Sequence, residues 1–318
     1  MIPEHLHFKI VRPRISPRVW ALALTAALFL LQFLGPLAPA FAQTNPAREG
    51  LAESIVAVKL ERGVELRLLV NQRLGTRPDI AVLLFAGYPG ILRLREEGGE
   101  AAHDMGGNFL MRARRFLNSE QVFTVAVDCS QDQWLDCGDR YRSSAQHAQD
   151  VMQAVAAVKT QLGARQVYVA GTSYGTVSTA FLARALGGKR SDPSGGTAAP
   201  PVPGQIDGAI HTATMTDPPR GATHGVPMAI FDWSVAQLPQ LFIHHQDDPC
   251  RATRYSSIVA RRGTIPLISV QGAQEPRGEA CQARTQHGFV GRERVVMQAL
   301  HDWVVQRHVP ALIGEPDR

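Results

Sequence analysis

The sequence predicts an α/β fold in which a mostly parallel sheet carries helices on both faces. The chain has 318 residues, 45% of them hydrophobic and 19% charged, so it can bury a large core and is not disordered. Several short segments are apolar almost without interruption, as is typical of strands buried on both sides. These segments alternate with helical patterns over about 250 residues, and that alternation favours βαβ units.

The first 42 residues have the three regions of a secretory signal peptide. A charged start precedes the apolar run at 19–34, and the small-residue triplet Ala40-Phe41-Ala42 stands before Gln43. The apolar run is short for a helix that must cross about 30 Å of hydrocarbon. We therefore expect cleavage before Gln43, with an uncleaved anchor as the alternative. The mature domain would then span 43–318 and be periplasmic or secreted.

The charge balance argues against a nucleic-acid partner. Most of the formal charge of +5 lies in the signal segment, where four basic residues against Glu4 account for +3 and leave +2 for the remaining chain. No later segment is long and apolar enough to cross a membrane, so we expect no stable insertion after cleavage. The oligomeric state stays open.

The predicted elements follow in chain order. An N-terminal hairpin covers 54–60 and 65–70, with Arg62-Gly63 supplying the turn. Buried strands are predicted at 80–86, 121–127, 166–170, 206–212, 238–245 and 265–270. Helices are predicted at 109–117, 176–186, 251–260 and 292–308. A further helix is predicted to begin at a capping box formed by Ser143 and Gln146. The stretch 187–204, rich in Gly, Pro, Ser and Ala, is predicted to be a loop within one domain.

One motif with chemical meaning stands between a predicted strand and a predicted helix. Gly171-Thr172-Ser173-Tyr174-Gly175 matches the G-x-S-x-G nucleophile elbow, which lifts a serine hydroxyl above the edge of a sheet. The pattern alone is weak, and an ordinary glycine-rich turn is the alternative. Its position after a buried strand and before an amphipathic helix is what favours a nucleophile at Ser173.

A serine nucleophile needs a base to take its proton and a carboxylate to orient that base. A strand running into the acidic turn Asp247-Asp248 supplies the carboxylate, and His287 before the last helix supplies the base. The chain order is therefore Ser, Asp, His, as in the hydrolases that carry this elbow.

On these residues the chain resembles the α/β-hydrolase-fold serine hydrolases over roughly 54–308, and among them compact esterases similar to dienelactone hydrolases. The resemblance implies little or no cap domain, no cofactor, and cleavage of a small-molecule carboxylic ester or related acyl bond. It places the nucleophile on Ser173, the base on His287 and the acid on Asp248. The family acid commonly lies three residues after a glycine. Here His245 occupies that glycine's position, so Asp247 stays an alternative.

The resemblance also implies an oxyanion hole made of two backbone N–H groups. Tyr174, the residue after the nucleophile, would give the first. The loop after the strand at 80–86 would give the second through Tyr88, because Pro89 has no N–H. Ala86 stands where this family motif commonly has a histidine.

Four cysteines follow the signal segment, which favours disulfides in an exported chain. Three pairings are possible, and we expect Cys129–Cys137 and Cys250–Cys281 because short loops close most readily. The second bridge would link the acid loop to the base loop. Trp134, inside the first loop, could border the substrate pocket.

Other functions are less well supported by the sequence. A peptidase or an acyltransferase could use the same fold and residues, and a non-catalytic hydrolase-like binding protein could use the fold alone. A metal site at His244 and His245 is disfavoured because adjacent strand residues point to opposite faces. No G-x-G-x-x-G occurs, which disfavours a dinucleotide cofactor.

Overall fold

The computed structural model describes residues 49–187, 204–218 and 220–314. The predicted signal segment with its cleavage site, and most of the predicted loop at 187–204, lie outside these ranges. Within them, no helix combines the length and the apolar character needed to cross a bilayer.

The strands of the described ranges form one large sheet and one small hairpin. In chain order they are β1 (Leu51–Lys59), β2 (Glu65–Arg73), β3 (Ile80–Phe85), β4 (Arg95–Glu97), β5 (Glu100–Ala102), β6 (Val122–Val127), β7 (Gln166–Thr172), β8 (Gly208–Thr212), β9 (Gln240–His245), β10 (Leu267–Val270) and β11 (Leu312–Ile313). The sheet order is β1-β2-β6-β3-β7-β8-β9-β10-β11, and β4 pairs only with β5. β2 pairs antiparallel with β1 and β6, and all the other pairs of the large sheet are parallel.

Helices cover both faces of the sheet. They are α1 (Phe109–Ala113), α2 (Asp139–Arg142), α3 (Ala145–Leu162), α4 (Gly175–Leu186), α5 (Tyr255–Arg261) and α6 (Glu293–Gln306). Successive side chains of β3 point to opposite faces of the sheet, so the strand packs against both layers of helices. Val82 and Leu84 pack with α1 and α6 on one face, and Leu83 and Phe85 pack with α3 and α4 on the other. The mostly parallel sheet predicted from the sequence is confirmed.

The main differences from prediction lie at element ends and at the sheet edge. The cap of α3 is Ser144, whose hydroxyl accepts a hydrogen bond from the His147 N–H, so the predicted capping box at Ser143 is wrong by one residue. The hairpin β4–β5 and the edge strand β11 were not predicted. β11 has only two residues, too few for a periodic pattern.

The topology brings the loops that carry the candidate site residues to one end of the sheet, the end where the parallel strands finish. β3, β6, β7, β8 and β9 are parallel neighbours, so the loops that follow them leave from the same end of the sheet. This carboxyl end is where open α/β sheets bind their ligands. Ser173 follows β7, and Asp248 follows β9 after a short turn.

Candidate active site

Ser173 forms a sharp corner between β7 and α4. Its φ angle is 51°, in the left-handed region that non-glycine residues rarely adopt. The corner is held on both sides: the Ser173 N–H donates to the Thr212 carbonyl at 3.0 Å, and the Ser173 carbonyl accepts from the Thr176 N–H at 2.9 Å. The side chain of Thr176 donates to the same carbonyl at 2.5 Å. This is the geometry of a nucleophile elbow.

The two glycines of the motif are needed for space. A Cβ at Gly171 would come within 2.6 Å of the Gly175 carbonyl oxygen. A Cβ at Gly175 would overlap the backbone of Phe85 at the end of β3. Neither glycine has a positive φ, so the strained conformation belongs to the serine itself. The motif lets β7 and α4 pack closely enough to leave Ser173 at the corner.

Asp248 and His287, the predicted acid and base, form a buried hydrogen-bonded pair. The Nδ1 of His287 lies 3.0 Å from Oδ2 of Asp248, with both side chains buried. A carboxylate can only accept, so Nδ1 of His287 is the donor of this bond, and in the neutral imidazole Nε2 then carries the lone pair that can take a proton. The predicted acid and base are therefore in contact, although 39 residues separate them.

Asp247, the alternative acid, does not contact the imidazole. It is exposed, and its N–H donates to Nδ1 of His245 at 3.0 Å. By contrast, Oδ1 of Asp248 accepts from the Cys250 N–H at 2.9 Å, so the second carboxylate oxygen is also bound. The backbone turn thus directs Asp248 inward and Asp247 to solvent.

Thr253 is a site residue that the sequence analysis missed. Its hydroxyl donates to Oδ2 of Asp248 at 2.8 Å and lies 3.1 Å from Nδ1 of His287. The side chain is fully buried in the short 3-10 turn Arg251–Thr253. The sequence carried no signal for Thr253, because a threonine five residues after an acid belongs to no recognised motif.

The turn that carries His287 is held by its neighbours. The Thr285 hydroxyl caps the 3-10 turn Gln286–Gly288 by accepting from the His287 N–H at 3.2 Å. Arg112 of α1 donates to the Gly288 carbonyl at 2.6 Å and pairs with Glu293 of α6 at 2.9 Å. These contacts fix the base turn between two helices.

The predicted oxyanion residues lie on the loops that flank Ser173. A Cβ at Gly87 would lie 3.4 Å from Cβ of Ser173, so the loop after β3 passes directly beside the serine. In the described part of the chain, neither the Tyr88 N–H nor the Tyr174 N–H donates a hydrogen bond. The Tyr88 ring is 63% exposed and packs 4.6 Å from the His224 ring.

The two expected cysteine pairs are present as Cys129–Cys137 and Cys250–Cys281. The second pair joins the loop after Asp248 to the segment that precedes His287. The first closes the loop after β6, where Trp134 donates from Nε1 to the Cys129 carbonyl at 2.9 Å. Trp134 therefore packs on its own disulfide loop.

Two further histidines are buried beside the candidate site. Nε2 of His244 accepts from the Thr214 N–H at 2.5 Å, and burial lowers its pKa to about 4. His211 bonds to Thr179 at 2.8 Å, and burial lowers its pKa to about 3. Both rings are neutral at pH 7, and their hydrogen bonds help to hold the carboxyl ends of β8 and β9 in place. Among the described residues, no group of three or more potential metal ligands comes together.

The hydroxyl of Ser173 and the imidazole of His287 make no mutual hydrogen bond among the described residues; the bonds of His287 go to Asp248, Thr253 and Thr285. Such contacts are often long in unliganded enzymes and tighten when substrate binds. His287 and Asp248 are in contact, and Ser173 is half-buried at the corner after β7.

Comparison with solved structures identifies the architecture. A lidless α/β serine hydrolase from Xanthomonas campestris matches at 15% sequence identity with a TM-score of 0.50, over 81% of this chain and 96% of its own. The chain has the α/β-hydrolase fold. An esterase, Est1E from Butyrivibrio proteoclasticus, matches at 13% identity with a TM-score of 0.51, over 80% of this chain and 98% of its own. A scan of protein-family models and a search of curated proteins both find no match.

Proposed function

We propose that this α/β-hydrolase-fold protein is an exported serine hydrolase that cleaves a small-molecule carboxylic ester through an acyl-enzyme on Ser173. The contact between His287 and Asp248, 3.0 Å long and buried, carries the proposal. It is supported by the strained corner at Ser173, on the same edge of the sheet.

In the first step, Oγ of Ser173 attacks the ester carbonyl carbon while Nε2 of His287 takes its proton. Asp248 holds the Nδ1–H and stabilises the imidazolium that forms. The carbonyl oxygen becomes an oxyanion, which the N–H groups of Tyr174 and Tyr88 would bind. The intermediate then collapses, and the imidazolium gives its proton to the departing alkoxide, which leaves as the alcohol.

In the second step, water replaces the alcohol. Nε2 of His287 takes a proton from the water, whose oxygen attacks the acyl carbon on Ser173. The second tetrahedral intermediate collapses and releases the carboxylic acid, while the His287 imidazolium returns the proton to the departing serine oxygen. The cycle consumes one water for each ester and needs no cofactor.

Export is proposed from the sequence and is compatible with the disulfides. The segment 1–42 has the regions of a signal peptide, and both cysteine pairs suit an oxidising compartment. We propose a periplasmic or secreted mature protein beginning near Gln43. Mass spectrometry of the N-terminus of protein recovered from an expressing bacterium tests the cleavage point.

A panel of substrates tests the reaction class. We expect the mature protein to hydrolyse p-nitrophenyl esters, and peptide p-nitroanilides at least about 100-fold more slowly in kcat/KM, because an amide carbonyl is less reactive and its amine leaves less readily than p-nitrophenolate. Ser173→Ala should abolish turnover. Ser54→Ala, which changes an exposed serine on β1, should not.

The same panel separates the alternatives. Faster cleavage of the anilides would indicate a peptidase, and acyl transfer to an added alcohol in preference to water would indicate an acyltransferase. A folded protein that turns over none of these substrates would be a hydrolase-like binding protein and would contradict the proposal.

A further inference from the structure

Arg142, at the end of α2, is a buried cation without an acidic partner. Its residue is 2% exposed, and it forms no salt bridge within the described ranges. The guanidinium instead donates to neutral oxygens: the Cys137 carbonyl at 2.8 Å, the Ser178 hydroxyl at 2.9 Å and the Pro89 carbonyl at 3.4 Å. A buried charge that is paired only with neutral groups is costly to keep.

The nearest acid on the same helix is engaged elsewhere. Asp139 accepts hydrogen bonds from the backbone N–H groups of Gly225 and Val226, at 2.8 and 2.9 Å. His147, which packs close by, is neutral because burial lowers its pKa to about 3. Asp139 therefore acts on the Arg142 charge only through space, and among the described residues no acidic group forms a salt bridge with the guanidinium.

The guanidinium bonds to a neighbour of one proposed oxyanion donor and to the helix that follows the other. Pro89 directly follows Tyr88, one proposed donor, and Ser178 lies on α4, which begins beside Tyr174, the other. The guanidinium carbon also lies 4.9 Å from the centre of the Tyr174 ring. A Cβ at Gly90, whose φ is 71°, would overlap the guanidinium, so only glycine allows this approach of the loop.

We propose that Arg142 is a positioning residue of the oxyanion hole: its fork of donors fixes the loop at 86–90 against α4, and its buried charge favours the negative charge that develops on the substrate oxygen. The proposal rests on the proposed hydrolase function. Fixed donors and charges in a dry environment act most strongly on the transition state, because the charge exists only there.

Two variants separate the effect of the guanidinium's three hydrogen bonds from the effect of its positive charge. Arg142→Lys keeps a cation but cannot bind three oxygens in one plane, and Arg142→Met removes both with little change in volume. Arg114→Met is the matched control. Arg114 is also largely buried, bonds to Glu53 and to the Met111 carbonyl, and contacts none of the site residues.

We expect Arg142→Met to lower kcat for p-nitrophenyl acetate about 30- to 100-fold with KM changed less than about threefold. Arg142→Lys should lose less, about tenfold, because the charge remains. Inhibition by benzeneboronic acid, which forms a tetrahedral anion on the serine, should weaken by the same factors as kcat falls. Inhibition by benzamide, a neutral compound of similar size that forms no anionic adduct with the serine, should not change. Arg114→Met should match the wild type in all four measurements.

The outcomes are distinguishable. If the wild type neither hydrolyses esters nor binds the boronate, the proposed function fails. If the wild type is active and folded Arg142→Met keeps kcat and boronate affinity within about threefold, the assignment of Arg142 is wrong. Circular dichroism establishes folding. Should the methionine variant not fold, Arg142→Lys decides alone: an unchanged boronate affinity overturns the assignment, and a parallel loss in kcat and boronate affinity supports it.

Discussion

At the scale of single residues, two adjacent aspartates have opposite environments. Asp248 is buried against His287, whereas Asp247 is exposed. The sequence favoured Asp248 by its spacing but left Asp247 open as an alternative, because His245 occupies the position of the usual landmark glycine. The choice depends on the turn, where the Asp248 N–H bonds to the His245 carbonyl at 3.3 Å. Turn geometry of this kind is not encoded in a simple periodic pattern.

This difference predicts the behaviour of two conservative variants. Asp248→Asn should lower kcat about 10³- to 10⁴-fold, because an amide would favour the wrong imidazole tautomer and would not stabilise the imidazolium. Asp247→Asn should stay within about threefold of the wild type, since its side chain faces solvent. Steady-state ester hydrolysis measures both. A larger loss in the Asp247 variant would reassign the acid.

Thr253 gives a second residue-scale prediction. Thr253→Val keeps the shape of the side chain and removes the hydroxyl that donates to Oδ2 of Asp248. With one donor fewer, the carboxylate is held less firmly against the imidazole, so kcat for ester hydrolysis should fall about tenfold. A kcat equal to that of the wild type would mean that the hydroxyl serves packing alone.

At the scale of elements, the types of the long segments were predictable and their ends were not. The apolar runs of β3, β6 and β9 are fully buried, and such runs are easily recognised. The boundaries of helices depend on local hydrogen bonds, as at Ser144, which caps the start of α3. The helix predicted at 109–117 is an α-helix only as far as Ala113 and continues as a 3-10 turn. The corner at Ser173 was predictable because its glycines are required by close backbone packing.

The two disulfides should differ in what they support. In the chain-entropy model, removing Cys250–Cys281 destabilises the protein by roughly 3 to 4 kcal/mol and removing Cys129–Cys137 by roughly 2 to 3 kcal/mol. Only the former joins the acid loop to the base turn. We expect the Cys250→Ala, Cys281→Ala double variant to lose kcat at temperatures where it remains folded.

The Cys129→Ala, Cys137→Ala variant is the control for that experiment, because its bridge contacts neither Asp248 nor His287. Thermal unfolding and ester kinetics should be measured on the same preparations. Equal kcat losses in the two double variants would show that the Cys250–Cys281 bridge acts only through global stability.

At the scale of the whole molecule, residues distant in sequence meet because parallel strands share an edge. Ser173, Asp248 and His287 were expected at this edge from the order of the motifs and the predicted strands. The supporting contacts of Arg142 and Thr253 were not predictable, because they depend on loops whose paths are decided by tertiary packing. The buried histidines behind the edge likewise carry no signal in the sequence.

Three buried histidines, His147, His211 and His244, predict that the free energy of unfolding decreases at acidic pH. Burial lowers the pKa of His147 and His211 to about 3 and that of His244 to about 4, against 6.5 for a free imidazole. Below pH 6.5 the unfolded chain therefore binds more protons than the folded chain, and stability falls as the pH falls towards 4. We expect about 1 to 2 kcal/mol lost per buried histidine between pH 7 and pH 5.

Urea unfolding across that pH range measures the effect. His211→Gln removes one buried titrating group, so its stability should depend less steeply on pH than that of the wild type, even if the variant is less stable at pH 7. His308→Gln changes an exposed ring and should leave the slope unaltered. A stability that does not vary between pH 7 and pH 5 would contradict the neutral, buried state of these rings.

The most direct test of the account asks whether Ser173 is an activated nucleophile. A fluorophosphonate probe should label the mature wild-type protein with one adduct, which peptide mass spectrometry would assign to Ser173, and Asp248→Asn should react at least about 100-fold more slowly. Folded wild-type protein that stays unlabelled, or an adduct on any other residue, would contradict it.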